Sequence, residues 1–90
     1  MIPLMGSLRF AGVLFIAYPN DHPPRHVHGF TGEAEVIVDL LNDGNVTHAN
    51  RTDAIRPFNA KRSDVKKILK SAADHFEELV ELWENHHGKA

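Results

Sequence analysis

The sequence predicts an α+β domain: a three- to four-stranded antiparallel sheet with one long C-terminal amphipathic helix packed on one face. Three observations predict it. Residues 33–40 alternate apolar and polar side chains with the period of a half-buried strand. Residues 65–83 repeat their apolar side chains with the period of a helix. Before and between these segments, Gly, Pro and Asn fall where turns are needed. A sheet with one apolar face and a helix with one apolar stripe bury those surfaces against each other, which makes two layers.

In chain order, residues 9–18 (RFAGVLFIAY) read as a strand rich in Val, Phe, Ile and Tyr, closed by Pro19-Asn20-Asp21. Both of its faces are apolar, so it is expected to be central. Residues 1–8 before it are expected to form a flexible N-terminal segment of one small domain spanning residues 1–90. Residues 27–30 and 33–40 flank Thr31-Gly32, where Gly allows the positive φ of a tight hairpin turn. With Thr31-Gly32 at the tip, Phe30 pairs with Glu33, His28 with Glu35, His26 with Ile37 and Val27 with Val36. A further turn at residues 42–45 (NDGN) leads to a weak strand over residues 46–49. In the last third, Val65, Ile68, Leu69, Ala72, Phe76, Leu79, Val80 and Trp83 form one helical stripe, kinked if anywhere near Ala73-Asp74. Ser63 or Asn59 can cap its start, and His86-His87-Gly88 supplies its end. Phe76 and Trp83 lie on the stripe and are expected in the core.

Ninety residues allow one core and leave no room for a second domain. Apolar residues at 42% and charged residues at 24% are the composition of a folded globular protein. Cysteine is absent, so ligation can come only from His, Asp, Glu and backbone, and a cytoplasmic location is the expectation. No apolar run approaches the roughly 20 residues of a membrane span, and the first five residues lack the charged and extended apolar regions of a signal peptide.

Chemistry is concentrated in one place. Of seven histidines, three fall in the run Asp21-His22-Pro23-Pro24-Arg25-His26-Val27-His28. In the expected register His26, His28 and Glu35 share the face away from the helix, and the proline pair limits how far the loop bearing His22 can wander. Four readings of this cluster stand side by side. A metal site would use His26 and His28, with His22, Asp21 or Glu35 as further ligands, for Zn, Ni or Cu. A general acid–base site would set His28 against Glu35, with His26 as the second imidazole, as phosphodiester cleavage by two histidines requires. A contact surface would use Arg25 and the imidazoles against a partner or nucleic acid. The last reading is architectural, with imidazoles bonded to backbone carbonyls of the proline loop. No Ser or Cys lies in the run, so an acyl-transfer triad is not supported.

The order of apolar strand, Asn20-Asp21-His22, proline pair, His26-Val27-His28, hairpin, and a helix closing on Leu79-Val80-Glu81-Leu82-Trp83 resembles the bacterial domain-of-unknown-function family numbered 4160. The resemblance runs from about Arg9 to Glu84. The family order is His, any residue, Pro, Pro, His, aromatic, His. Here the proline pair stands one place earlier and Val27 replaces the aromatic, while the histidine spacing is kept. The resemblance implies a small protein encoded beside another short protein, of toxin–antitoxin type. It implies no catalytic residue.

Charge along the helix is split. Arg62, Lys66, Lys67 and Lys70 lie early, whereas Asp74, Glu77, Glu78, Glu81 and Glu84 follow with no Lys or Arg among them. This runs against the helix macrodipole, worth about 0.3–1 kcal/mol per charge, so helix stability does not explain it. Two readings stand: a solvated helix face, or partner selection, in which the basic stretch binds phosphates and the acidic end meets a basic partner or the basic end of a second copy in an antiparallel dimer. Contacts with a partner or nucleic acid are expected from Arg25, Arg62, Lys66 and Lys70. With formal net charge -2, general nucleic-acid binding is not expected.

The leading expectation is a small cytosolic regulatory or interaction protein of toxin–antitoxin type acting through a small protein partner. A homodimer and RNA remain open as further partners, and a membrane is not expected. The rival expectations are a histidine-dependent ribonuclease or metal-dependent hydrolase built on His22, His26, His28 and Glu35, and a metal-binding protein without turnover. Whether the chain is an enzyme is left open by its sequence.

Overall fold

The computed structural model describes residues 6–87. Six strands and two helices follow in the order β1 (Gly6–Phe10), β2 (Val13–Ala17), β3 (His26–Thr31), β4 (Ala34–Leu40), β5 (Val46–His48), β6 (Ile55–Arg56), α1 (Arg62–Asp74) and α2 (Phe76–His87). The α+β class is as expected, with one antiparallel sheet and helices on one face. The detail differs from expectation, with six strands in place of three or four and two helices in place of one.

The extra strands have local causes. The expected strand over residues 9–18 is a hairpin, because Ala11 and Gly12 both take positive φ (51° and 81°) and turn the chain back on itself. Alanine rarely adopts that conformation, so an Ala-Gly pair inside an apolar run carries little turn signal. β1 thus takes residues 6–8 of the expected flexible segment, and residues 1–5 lie outside the described residues. At the far edge, β4 is flanked by two short strands in line. β5 pairs with Val38–Leu40 and β6 with Glu35–Val36. Between them Ile37 bonds both ways: its N–H donates to the Ala54 carbonyl and its carbonyl accepts from the Ala49 N–H, each at 2.8 Å. The loop from Ala49 to Ala54 leaves the sheet there and buries Ile37 on the face away from the helices.

The β3–β4 hairpin turns at Gly32-Glu33, with Thr31 opposite Ala34. Gly32 has φ +56°, which needs no Cβ, and the expected tip at Thr31-Gly32 is one residue early. The correction slides the pairing by two residues, so His28 stands opposite Ile37 and Glu35 opposite Phe30. A two-residue slide keeps every side chain on its face.

The helical stripe breaks after Asp74, where His75 leaves the α conformation at φ -120° and ψ 32°. The start of α1 is set at Lys61 with no side-chain cap, so neither Ser63 nor Asn59 plays the expected part. The interior lies between the sheet and both helices and contains Val13, Phe15, Val27, Val36, Val38, Ile68, Ala72 and Leu79, all fully buried. The buried hydroxyls find acceptors. Thr31 Oγ1 donates to the Gly12 carbonyl at 3.1 Å and Ser71 Oγ to the Phe10 carbonyl at 3.4 Å, tying the first hairpin to β3 and to α1. Among the described residues no helix is long and apolar enough to cross a membrane.

Candidate metal centre

Strand alternation decides which way the histidines of β3 point. Val27, Gly29 and Thr31 pair with Val38, Val36 and Ala34 on the helix-covered face, so His26, His28 and Phe30 take the opposite face with Asp39, Ile37 and Glu35. This is the face expected for them. They are nevertheless buried, each only 8% exposed. Tyr18, two residues along from Ile16 on the same side of β2, sets its ring edge-on to His28 at 4.8 Å. Trp83 comes from α2 to the end of β3 and lies against the His26 ring at 5.2 Å. Trp83 is therefore core, as expected, and also a wall of the histidine cluster.

Asp21 enters from the β2–β3 loop, where its N–H donates to the Tyr18 carbonyl at 3.1 Å. One oxygen, Oδ2, lies 3.2 Å from His26 Nε2 and 3.1 Å from His28 Nε2. The other nitrogen of each ring is engaged. His26 Nδ1 faces the Pro24 carbonyl at 2.9 Å, and a carbonyl only accepts, so this nitrogen carries a proton. His28 Nδ1 faces Glu35 Oε2 at 3.0 Å. Glu35 reaches His28 diagonally across the hairpin despite the shifted register, and its Oε1 also meets Arg56 Nε at 3.7 Å.

The Pro24 carbonyl fixes the tautomer of His26, with the proton on Nδ1, so its Nε2 lone pair faces Asp21 Oδ2 and a proton or a cation must lie between them. His28 stands between two carboxylates, Glu35 at Nδ1 and Asp21 at Nε2. Two protons shared among these four groups satisfy the cluster; so does one divalent ion, with His28 then donating from Nδ1 to Glu35. Either way two positive charges balance Asp21 and Glu35. The ion is the arrangement metalloproteins favour, with the outer imidazole nitrogens held by a carbonyl and a carboxylate. The spacing of Asp21 from each imidazole fits the roughly 2.9–3.4 Å between adjacent donors around an ion about 2.0–2.1 Å from each. The three donor atoms lie within 4.8 Å of one another.

Beside the cluster is a cleft of about 390 Å³, lined by Asp21, His22, Pro24, His26, Asp39, Asn50 and Arg51 among others. Asp39 adds negative charge that favours a cation. Arg51 is bonded through Nε and Nη2 to Asp53. Hydrogen bonding to Arg51 holds the Asp53 carboxyl below its ordinary value, and the same contact pushes the Arg51 guanidinium up.

Of the residues singled out in the sequence, His26, His28 and Glu35 come together. His22 does not join them: it is exposed on the cleft wall, and Asp21 stands in the position expected of it. Arg25 is not a free surface cation. Its Nε and Nη2 donate to the carbonyls of Leu40 and Leu41 at 2.9 and 3.2 Å, and its guanidinium lies over the Phe76 ring. Arg62, Lys66 and Lys70 are exposed on α1, and Lys70 Nζ pairs with Asp74 at 3.1 Å.

The family model described as "Domain of unknown function (DUF4160)" matches residues 12–84. The chain belongs to the DUF4160 family. The match takes in β2 to β6, α1 and most of α2, and so contains every residue of the cluster. No curated protein and no solved structure matches this DUF4160 chain.

Proposed function

We propose that this DUF4160 protein is a small binding protein for a divalent transition metal, held by Asp21, His26 and His28 and oriented by Glu35 and the Pro24 carbonyl. One observation carries the reading: a single carboxylate oxygen faces two imidazole nitrogens whose partner nitrogens are already committed. The N₂O donor set suits Zn, Ni, Cu or Fe(II). Three protein donors leave positions open for water or a ligand from the cleft, so a bound ion would supply Lewis-acid chemistry there.

Isothermal titration with Zn²⁺ and Ni²⁺ tests the reading. One ion per chain is expected, with release of up to two protons, detected as a dependence of the heat on buffer ionisation. Affinity should fall as the pH is lowered, because protons compete with the metal for the imidazole nitrogens. Absence of binding at neutral pH would leave the hydrogen-bonded, architectural cluster as the better account.

Two further readings use the same protein. Metal-dependent hydrolysis of RNA is separated from binding without turnover by incubating the metal-loaded protein with RNA, with and without chelator. Chelator-sensitive cleavage that His28→Ala abolishes supports the hydrolase, and inertness with every metal rejects it. The regulatory role of toxin–antitoxin type draws support from family resemblance and the split charge of α1 and α2. Copurification with the product of the neighbouring gene tests it.

A further inference from the structure

Two large apolar side chains of the described residues are left exposed by the fold, and they sit at opposite ends of β4. Phe58 is 90% exposed and Leu41 38%. Phe58 lies in the loop after β6, at a corner of a turn closed by the Ala60 N–H donating to the Pro57 carbonyl at 2.8 Å. The turn presents the ring as a knob. Exposed cations flank it, Arg56 before it and Lys61, Arg62 and Lys66 after it, and they outnumber Glu33 and Asp64 in the adjoining hollow and Glu35 beside Arg56. Arg62 and Lys66 are four apart on α1 and share a face.

Leu41 belongs to a recess. It lines a hollow of about 330 Å³ with Pro23, Pro24, Leu40, Trp83 and Glu84, a size that admits an aromatic ring. On the side of α2 the recess is bordered by Glu84. Glu77, Glu81 and Glu84 fall at i, i+4 and i+7 along one helical face, with Leu79 and Leu82 buried on the other. Among the described residues Arg25 is the one cation lining the recess, and its guanidinium is bonded to the carbonyls of Leu40 and Leu41.

We infer that the protein associates with a second copy of itself, with Phe58 of one chain seated in the Pro24–Leu41–Trp83 recess of the other and Lys61, Arg62 and Lys66 facing Glu77, Glu81 and Glu84. The observations match in shape and in sign: an aromatic knob flanked by cations, and an apolar hollow beside an acidic helix face, on the same molecule. An aromatic anchor in an apolar pocket with a charged rim is how interfaces concentrate their energy. Two reciprocal contacts close a dimer, and single contacts continue into a ring or chain. The inference stands independently of the metal reading, because neither knob nor recess uses a proposed ligand side chain.

Sedimentation equilibrium from micromolar to near-millimolar protein, at low and high salt, tests it. The expected result is a concentration-dependent rise from the 10.1 kDa of one chain to about twice that or more. High salt should weaken it through screening of the rim charges. Phe58→Ala should weaken association about 30-fold or more, the scale of losing an interface anchor. Leu41→Asp should do the same from the other side. Mixing the two variants supplies one intact knob and one intact recess, so association should return in the mixture although each variant alone is monomeric. A wild-type chain that stays at 10.1 kDa throughout overturns the inference. So does association that neither substitution weakens. Monomeric protein that binds a fluorescent single-stranded RNA through Phe58 also overturns it, by assigning the knob to base stacking.

Discussion

Saturating Zn²⁺ should raise the melting temperature of this domain by about 10–20 °C, and Asp21→Asn, His26→Ala or His28→Ala should abolish the rise. The size follows from mass action: an ion at a hundred times its dissociation constant stabilises the folded state by about 2.7 kcal/mol. In a domain of this length each kcal/mol is worth roughly 4–8 °C. Each of the three substitutions removes one donor atom from the proposed set of three. Glu35→Gln is different, because it leaves the donors in place and disturbs only the hydrogen bond that orients His28. It should weaken binding about 10–100-fold and keep a reduced thermal shift at high metal. His22→Ala should behave as wild type, since His22 is exposed and outside the cluster. Comparing the variants with and without chelator separates loss of the site from loss of the fold. If His22→Ala loses as much as His28→Ala, the ligand set read from the sequence is the right one and Asp21 is not a donor.

The exchange of Asp21 for His22 shows what the sequence could and could not reveal. Asp21 and His22 are adjacent and equally able to bind metal, and no periodicity operates in a loop to say which points inward. The turn that brings the Asp21 N–H to the Tyr18 carbonyl decides it. Along the strands the reverse holds. The observed hairpin register is two residues away from the one the turn residues predict, yet Glu35 is on the expected face and reaches His28 at 3.0 Å, because a period of two survives a slide of two. The helical stripe from Val65 to Trp83 was legible for the same reason, although its interruption at His75 was not. What carried no signal were features made by tertiary contact. The loop from Ala49 to Ala54 has no pattern, and it splits the edge strand and covers Ile37. Trp83 read correctly as core, but its second contact, with His26, depends on where α2 meets the end of β3. Phe58 is an apolar residue in a short loop, and only the assembled surface shows that it stays exposed among the described residues.

Gly29→Ala should destabilise the domain by about 1–3 kcal/mol, although strand propensity alone argues for the opposite sign. Alanine in place of an ordinary strand glycine gains about 0.5–1 kcal/mol, because less backbone freedom is lost on folding. Gly29 is not ordinary. It faces the helices at the centre of the sheet, and a Cβ there would stand 2.5 Å from Ile68 Cγ2 and 3.0 Å from Phe15 Cε1. Both neighbours are fully buried, so neither can swing into solvent, and α1 must move outward to make room. Overpacking of this kind costs about 1–3 kcal/mol. Ile68→Ala alone should cost about 2–5 kcal/mol through the cavity it leaves. In the double variant the new methyl group occupies part of that cavity. The combined cost should therefore fall short of the sum by about 0.5–3 kcal/mol, the coupling expected of residues in direct contact. Urea unfolding of the four proteins measures all three quantities. Additive costs, or a Gly29→Ala variant more stable than wild type, would mean that α1 does not rest on β3 at this glycine.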